Sequence, residues 1–243
     1  MTDRVVRVLE TFDADRTVQT AAQIGRRARL PSSTAQRLVA DLVEAGLLER
    51  DDENRVRLGL RLWELALRGS LALRLRQVAL PHMERVQARI REHTQLAVLE
   101  QEEALFLERL SHPQAGANIT RVAGRLPLHA SSAGLVLLAH APEEVRERVL
   151  ARPLRALSPE TVTDAAQIRS ALVRIRREGH VIAPGSIEQV STGVAVPVRD
   201  GHGGPVIAAL AVVLPREAPT GGAIEELRLA SHGIEAALAA SRP

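Results

Sequence analysis

Five side chains near residue 35 have the types and spacing that read DNA base edges. Ser32, Ser33, Thr34, Gln36 and Arg37 stand at the start of a segment whose apolar residues, Ala35, Leu38, Val39 and Leu42, recur at helical spacing. With that stripe buried, Ser32, Ser33, Gln36 and Arg37 face outward on the N-terminal half of the helix. A glutamine pairs bidentately with adenine and an arginine with guanine, and each pair gives roughly 1–3 kcal/mol of discrimination. Arg26, Arg27, Arg29, Arg55 and Arg57 flank this face and are candidate phosphate clamps.

The elements that must position those residues are legible on either side. Val5, Val8, Leu9 and Phe12 fall on one helical face, and a second short helix over 20–29 turns Ala21, Ile24 and Ala28 inward. Pro31 sits where the first turn of the third helix tolerates it, and Gly46 ends that helix. Residues 47–58 alternate around the polar tip Asp51-Asp52-Glu53-Asn54, which predicts a two-stranded hairpin. Helix, helix, turn, helix and hairpin is the winged helix-turn-helix pattern, expected over 1–58.

Composition narrows the remaining choices. The 243 residues carry 45% hydrophobic and 25% charged side chains, as in an ordinary globular protein. There is no Cys, which removes disulfides, thiol nucleophiles and Cys-based metal sites and fits a reducing, cytoplasmic setting. Aromatics are scarce, which argues against proteins that grip single strands by stacking bases. All 32 basic residues are Arg, which suits phosphate and guanine contacts but is also what a GC-rich genome writes. Their distribution says more. Arg and acids balance at 10 and 10 in 1–58, while 59–93 carries 7 Arg against 3 acids, a surplus beside the N-terminal region.

Residues 59–80 are Leu-rich and apolar on more than one side, with Leu60, Trp63, Leu67 and Leu71 on one stripe. A helix of that kind needs a cover. In a linker helix between two domains a second copy of the chain supplies it. From residue 81 the pattern is α+β: a helix over 81–93, strands over 96–101 and 104–110, helices over 130–141 and 165–178, strands over 180–187, 193–198 and 206–214, and a closing helix over 224–240. An antiparallel sheet with helices on its faces makes a sensor-like domain over 81–243.

Residues that carry catalysis elsewhere are present here only in scattered form. Eight His residues lie apart with no H-x-H or H-E-x-x-H, so no metal is expected, and G-x-S-x-G, P-loop and G-x-G-x-x-G motifs are missing. Glu100, Glu102, Glu103 and Glu108 read as the solvated face of a hairpin. No enzyme, cofactor or membrane segment is expected.

Taken together, the segments AAQIGRRARLPSSTAQRLVADLVEAGLLERDDENRVRLGLRLWELA, GRLPLHASSAGLVLLA, REGHVIA and GVAVPVRDGHGGPVIAALAVVLP resemble the IclR family of bacterial transcriptional regulators nearly end to end. The resemblance implies a winged-helix DNA-binding domain, a linker helix and a GAF-like effector domain. It also implies dimers or tetramers on double-stranded operator DNA with inverted repeats, controlled by a small-molecule effector. A repressor is the expectation.

Carried over by the resemblance, the effector wall includes Leu126, Ser131, Ser132, Ala133 and Gly134, with amides near Gly134 seating a carboxylate. The polar positions on the sheet side fall on Ala183, Gly193, Ala211 and Val213, none of which keeps a polar side chain. A buried carboxylate without partners costs several kcal/mol. The expected effector is therefore less polar or larger than glyoxylate or pyruvate, such as an aromatic acid, with its polar end near Ser131 and Ser132. One alternative stays open at this point: a ligand-binding or oligomerisation module whose helix-turn-helix docks a protein rather than DNA.

Overall fold

The computed structural model describes residues 1–241 apart from 14 and 117, and the chain divides into two units, Met1–Leu71 and Ala72 onward. Both are α+β.

In the first unit, α1 (Thr2–Leu9) buries Val8, with Val5, Leu9 and Phe12 packed beside it as the periodicity predicts. β1 (Gln19–Thr20) leads into α2 (Ala21–Arg27), where Thr20 and Gln23 form a reciprocal capping box. α3 (Ser32–Glu44) buries Ala35, Leu38, Val39 and Leu42 against Ile24 and Val56. Pro31 stands at its N-cap, one residue outside the expected first turn. At the other end Gly46 adopts φ +71, and the Gly46 and Leu47 N–H groups donate back to Val43 and Leu42. That closure requires a left-handed residue after the helix, which glycine supplies without a Cβ clash. β2 (Leu48–Arg50) and β3 (Arg55–Leu58) form the hairpin, and β1 adds to its far edge in the order β1-β3-β2.

The stretch expected as one linker helix over 59–80 is two helices. α4 (Leu60–Leu67) ends before Gly69 and Ser70, and α5 (Leu71–Ile90) then runs on through Pro81. Pro81 was expected to open a new helix. A proline removes one backbone hydrogen bond and crowds the preceding turn. Here Leu75, Ala79, Met83 and Val86 form one buried stripe on both sides of it, and their burial holds the helix together. α4 buries none of its residues.

In the second unit six strands are antiparallel throughout: β4 (His93–Glu100), β5 (Glu103–Leu110), β6 (Arg125–Pro127), β7 (Val181–Pro184), β8 (Ser191–Arg199) and β9 (Val206–Pro215), in the order β6-β5-β4-β9-β8-β7. Their alternating side chains split the core in two. Ala208, Leu210, Val212 and Leu214 of β9 face α5 and α9 (Gly221–Ala240), whereas Ala209 and Ala211 face α6 (Ser132–His140) and α8 (Ala165–Glu178). Alanines at 97, 195, 209 and 211 let α6 lie close to the sheet, and α6 is buried almost all round. β6 and α7 (Glu143–Leu150) were not foreseen from the sequence. Glu108, expected on a solvated face, is buried and paired with Arg76 at 2.5 Å. No helix among the described residues is long and apolar enough to cross a membrane, and no cluster of three metal-ligating side chains occurs among them.

Candidate functional site

On the first unit the exposed face of α3 carries Ser32, Ser33, Gln36 and Arg37, with Thr34 half-buried beside them. No side chain caps the start of α3, so its first-turn N–H groups stay open to an outside acceptor. The arginines around this face divide into two groups. Among the described residues Arg26, Arg29 and Arg37 are exposed with no acidic partner. Arg27 instead donates to Gln19, whose amide nitrogen is anchored on the Thr11 carbonyl at 2.9 Å.

The hairpin arginines, expected as phosphate clamps, are already paired. Arg55 meets Asp51 at 2.9 Å and Glu53 at 3.2 Å, and Arg57 meets Glu49 at 3.0 Å. Hydrogen bonding to Asp51 raises the Arg55 guanidinium above its ordinary value. The Glu49 carboxyl is held below its ordinary value by the Leu60 N–H and by Arg57. The hairpin therefore presents internal ion pairs rather than free positive charge. Neighbouring acids at 49, 51 and 53 neutralise it, a consequence of strand register that residue counting does not see.

The second unit forms a small, partly open cavity on the α6 side of the sheet. Of the nine positions carried over by resemblance, Leu126, Ser131, Ser132, Ala183, Gly193 and Val213 line it. Three do not. Ala133 and Ala211 lie in the core between α6 and the sheet. The Gly134 N–H, expected to seat a carboxylate, is used by the Ser131 hydroxyl at 3.0 Å, which caps α6. Gly193 has a steric reason to be glycine, since a Cβ there would come 2.6 Å from the Ser132 hydroxyl and 3.0 Å from its Cβ. Ser132 fills the space that a side chain on β8 would need.

The cavity is not stripped of polar groups as expected; they come from other elements. One end, over β7 and β8, has Ser131, Ser132, Ser186, Glu188 and Ser191. The other, over β4 and β5, has Gln95, Asn118 and Thr120, with Phe106 beside them. Val213 on β9 forms the floor between. β8 and β4 are two strand spacings apart, roughly 10 Å. Among the described residues the lining holds one carboxylate, Glu188, and no cation.

Sequence reasoning missed Gln95, Phe106, Asn118 and Thr120. Gln95 had a signal: it shares a face of β4 with core residue Ala97, where an apolar side chain is the norm. Residues 111–124 have no periodicity to read. His129, in the segment before α6, is buried and bonded through Nε2 to the Arg155 carbonyl at 3.0 Å. Burial pushes its pKa down.

Comparison with known proteins agrees with this architecture. Residues 2–52 match the family model for the IclR helix-turn-helix domain, and residues 71–240 match that for the bacterial transcriptional regulator IclR C-terminal domain. The chain is 63% identical to an IclR homolog from Microbacterium hydrocarbonoxydans whose crystal structure is complexed with 4-hydroxybenzoate, covering 99% of each chain with a TM-score of 0.94. It is 28% identical over 212 residues to the HTH-type transcriptional regulator XynR of Escherichia coli (strain K12), covering 86% of this chain and 84% of that protein. It is 27% identical over 203 residues to the p-hydroxybenzoate hydroxylase transcriptional activator of Acinetobacter baylyi, covering 81% of this chain and 74% of that protein. With both domains matched in order and the helix-turn-helix and cavity in place, the chain belongs to the IclR family of DNA-binding transcriptional regulators.

Proposed function

We propose that this regulator represses its operon until a monocyclic aromatic acid of the 4-hydroxybenzoate type fills the cavity. The observation that carries this reading is the cavity's two-ended lining: polar groups at either end and an apolar floor between them. A flat ring with oxygen atoms at opposite ends matches it. The carboxylate sits at the start of α6, where the Ser132 N–H has no helical partner and the positive end of the helix dipole lies. The Ser131 and Ser132 hydroxyls supply further donors. The 4-hydroxybenzoate bound by the Microbacterium homolog supports this class of effector.

DNA is read by Gln36 and Arg37 in the major groove, with Ser32, Ser33 and Thr34 near the backbone and Arg26 and Arg29 on phosphate. Leu60, Trp63, Leu65 and Leu67 are 62%, 59%, 47% and 39% exposed. A second copy of the chain covers that apolar stripe, and the dimer reads an inverted repeat. Effector binding shifts the equilibrium between arrangements of the two DNA-reading heads, by no more than its difference in affinity for them.

Calorimetric titration of the full chain with 4-hydroxybenzoate, pyruvate and a dicarboxylate tests the effector reading. Tight binding of the aromatic monocarboxylate alone is expected. Binding of pyruvate alone overturns it. Release of operator DNA on adding the bound acid distinguishes repression from activation.

A further inference from the structure

We infer that Gln95 and Asn118 form a hydroxyl-reading pair, fixed in orientation by Thr120, that selects effectors carrying a hydroxyl opposite their carboxylate. The inference rests on the aromatic-acid reading of the cavity and adds the residues that set specificity within that class.

The Asn118 side-chain oxygen accepts the Thr120 backbone N–H at 2.9 Å and the Thr120 hydroxyl at 2.6 Å. A backbone N–H can only donate, so the amide is oriented: Oδ1 faces Thr120 and Nδ2 points elsewhere. The Thr120 hydroxyl proton is committed to Asn118, so its oxygen must accept from Gln95, whose Nε2 lies 2.6 Å away. That fixes the second amide as well, and leaves Gln95 Oε1 free to accept. Arg109 donates to the Thr120 carbonyl at 2.5 Å and ties the same residue to β5. Gln95 is 3% and Thr120 7% exposed, so water competes little for these bonds.

What remains at this end of the cavity is one donor and one acceptor. Asn118 Nδ2 is buried with no partner among the described residues, an arrangement rare in folded proteins unless something else supplies the partner. A hydroxyl is the group that satisfies both: its oxygen accepts from Asn118 Nδ2 and its proton goes to Gln95 Oε1. An effector ending in hydrogen leaves both unpaired, and sites built to bind a hydroxyl reject the analogue that lacks it. Thr120 is a positioning residue, since it acts through the two amides.

The test is calorimetric titration of the full chain with 4-hydroxybenzoate and with benzoate, in the wild type and in the Asn118→Ala, Thr120→Val and Thr120→Ser variants. The wild type is expected to prefer the hydroxylated acid by roughly 10–100-fold. Asn118→Ala brings that ratio close to one, chiefly by weakening 4-hydroxybenzoate. Thr120→Val lowers it several-fold, and Thr120→Ser, which keeps the hydroxyl, restores it. A wild type that binds both acids equally overturns the inference without any variant, so misfolding of a variant cannot shelter it. A strong preference that survives Asn118→Ala and Thr120→Val overturns the assignment of these residues while leaving the aromatic-acid reading intact. Binding of neither acid overturns that reading and the inference with it.

Discussion

The two sites of this protein are built in opposite ways. The face of α3 gathers Ser32, Ser33, Gln36 and Arg37 within six consecutive residues, turned outward, with one short helix setting their geometry. The cavity draws Gln95 from β4, Asn118 and Thr120 from a connecting segment, Ser131 and Ser132 from the start of α6, and Gly193 from β8. A face that meets a large, charged, flat partner works with exposed side chains on a rigid support. A site that encloses a small molecule needs walls from several elements, and each wall residue is constrained by neighbours far away in the chain. Damage should therefore stay local on the first unit's surface and spread through contacts in the second.

The largest expected effect comes from the scaffold beneath the reading face. Leu38 is 2% exposed in the small core of the first unit, and Leu38→Ala should destabilise that unit by about 2–5 kcal/mol. DNA binding should fail while 4-hydroxybenzoate titrates as before. Simultaneous loss of both would break the contrast between the sites. Next, Gly193→Val should cost about 1–3 kcal/mol by overpacking against Ser132 and abolish effector binding. Operator affinity without effector should be kept. Full effector affinity in that variant would remove the start of α6 from the site.

Arg37→Ala should lose roughly 1–3 kcal/mol at a single base position, measured by competition with operators substituted one base pair at a time. Its neighbours sharpen the point. Arg26→Ala should weaken all sequences alike and lower the slope of affinity against salt by about one. Arg55→Ala should leave that slope nearly unchanged, because Asp51 and Glu53 already hold its charge. A slope that falls more for Arg55 than for Arg26 would return the hairpin to the phosphate-clamping role expected from sequence.

The smallest effect is a pH dependence in the second unit. Burial, with Arg199 and Arg176 nearby, pushes the His140 pKa from 6.5 down to about 4. The folded protein keeps this ring neutral while the unfolded chain protonates it. Stability from this group is therefore present above pH 6.5 and is lost as pH falls towards about 4. The ring is half-buried, so the loss is modest. Melting temperatures between pH 7 and 4.5 should decline less in His140→Gln than in the wild type, and equal declines would exclude His140 as a cause.

Most of the reading face was legible because its information is local. The burial of Ala35, Leu38, Val39 and Leu42 fixes which α3 residues point outward, and period alone predicts that stripe. α8 was predicted at its observed bounds for the same reason, with Asp164 capping one end and Gly179 in the left-handed conformation at the other. The pairing of Arg55 and Arg57 with acids was not legible, because it follows from which residues the hairpin register and turn bring together. Pro81 misled for a related reason: the local penalty of a proline is real, but burial on the sheet outweighs it.

By itself, then, the sequence determined most of the helices and strands, though not β1, β6, α7 or the unbroken run of α5, together with the outward face of α3 and the family. These follow from short-range periodicity, capping and segments that can be compared directly. Tertiary structure alone decided that Gln95, Asn118 and Thr120 meet Ser131, Ser132 and Gly193 around one cavity. It also decided that the Gly134 N–H is consumed by a cap, and that Ser132 occupies the space over Gly193. The physical reason is that a strand exposes no more than a two-residue alternation in sequence, whereas its neighbours across a sheet are set by register, and register is fixed only when the whole core closes.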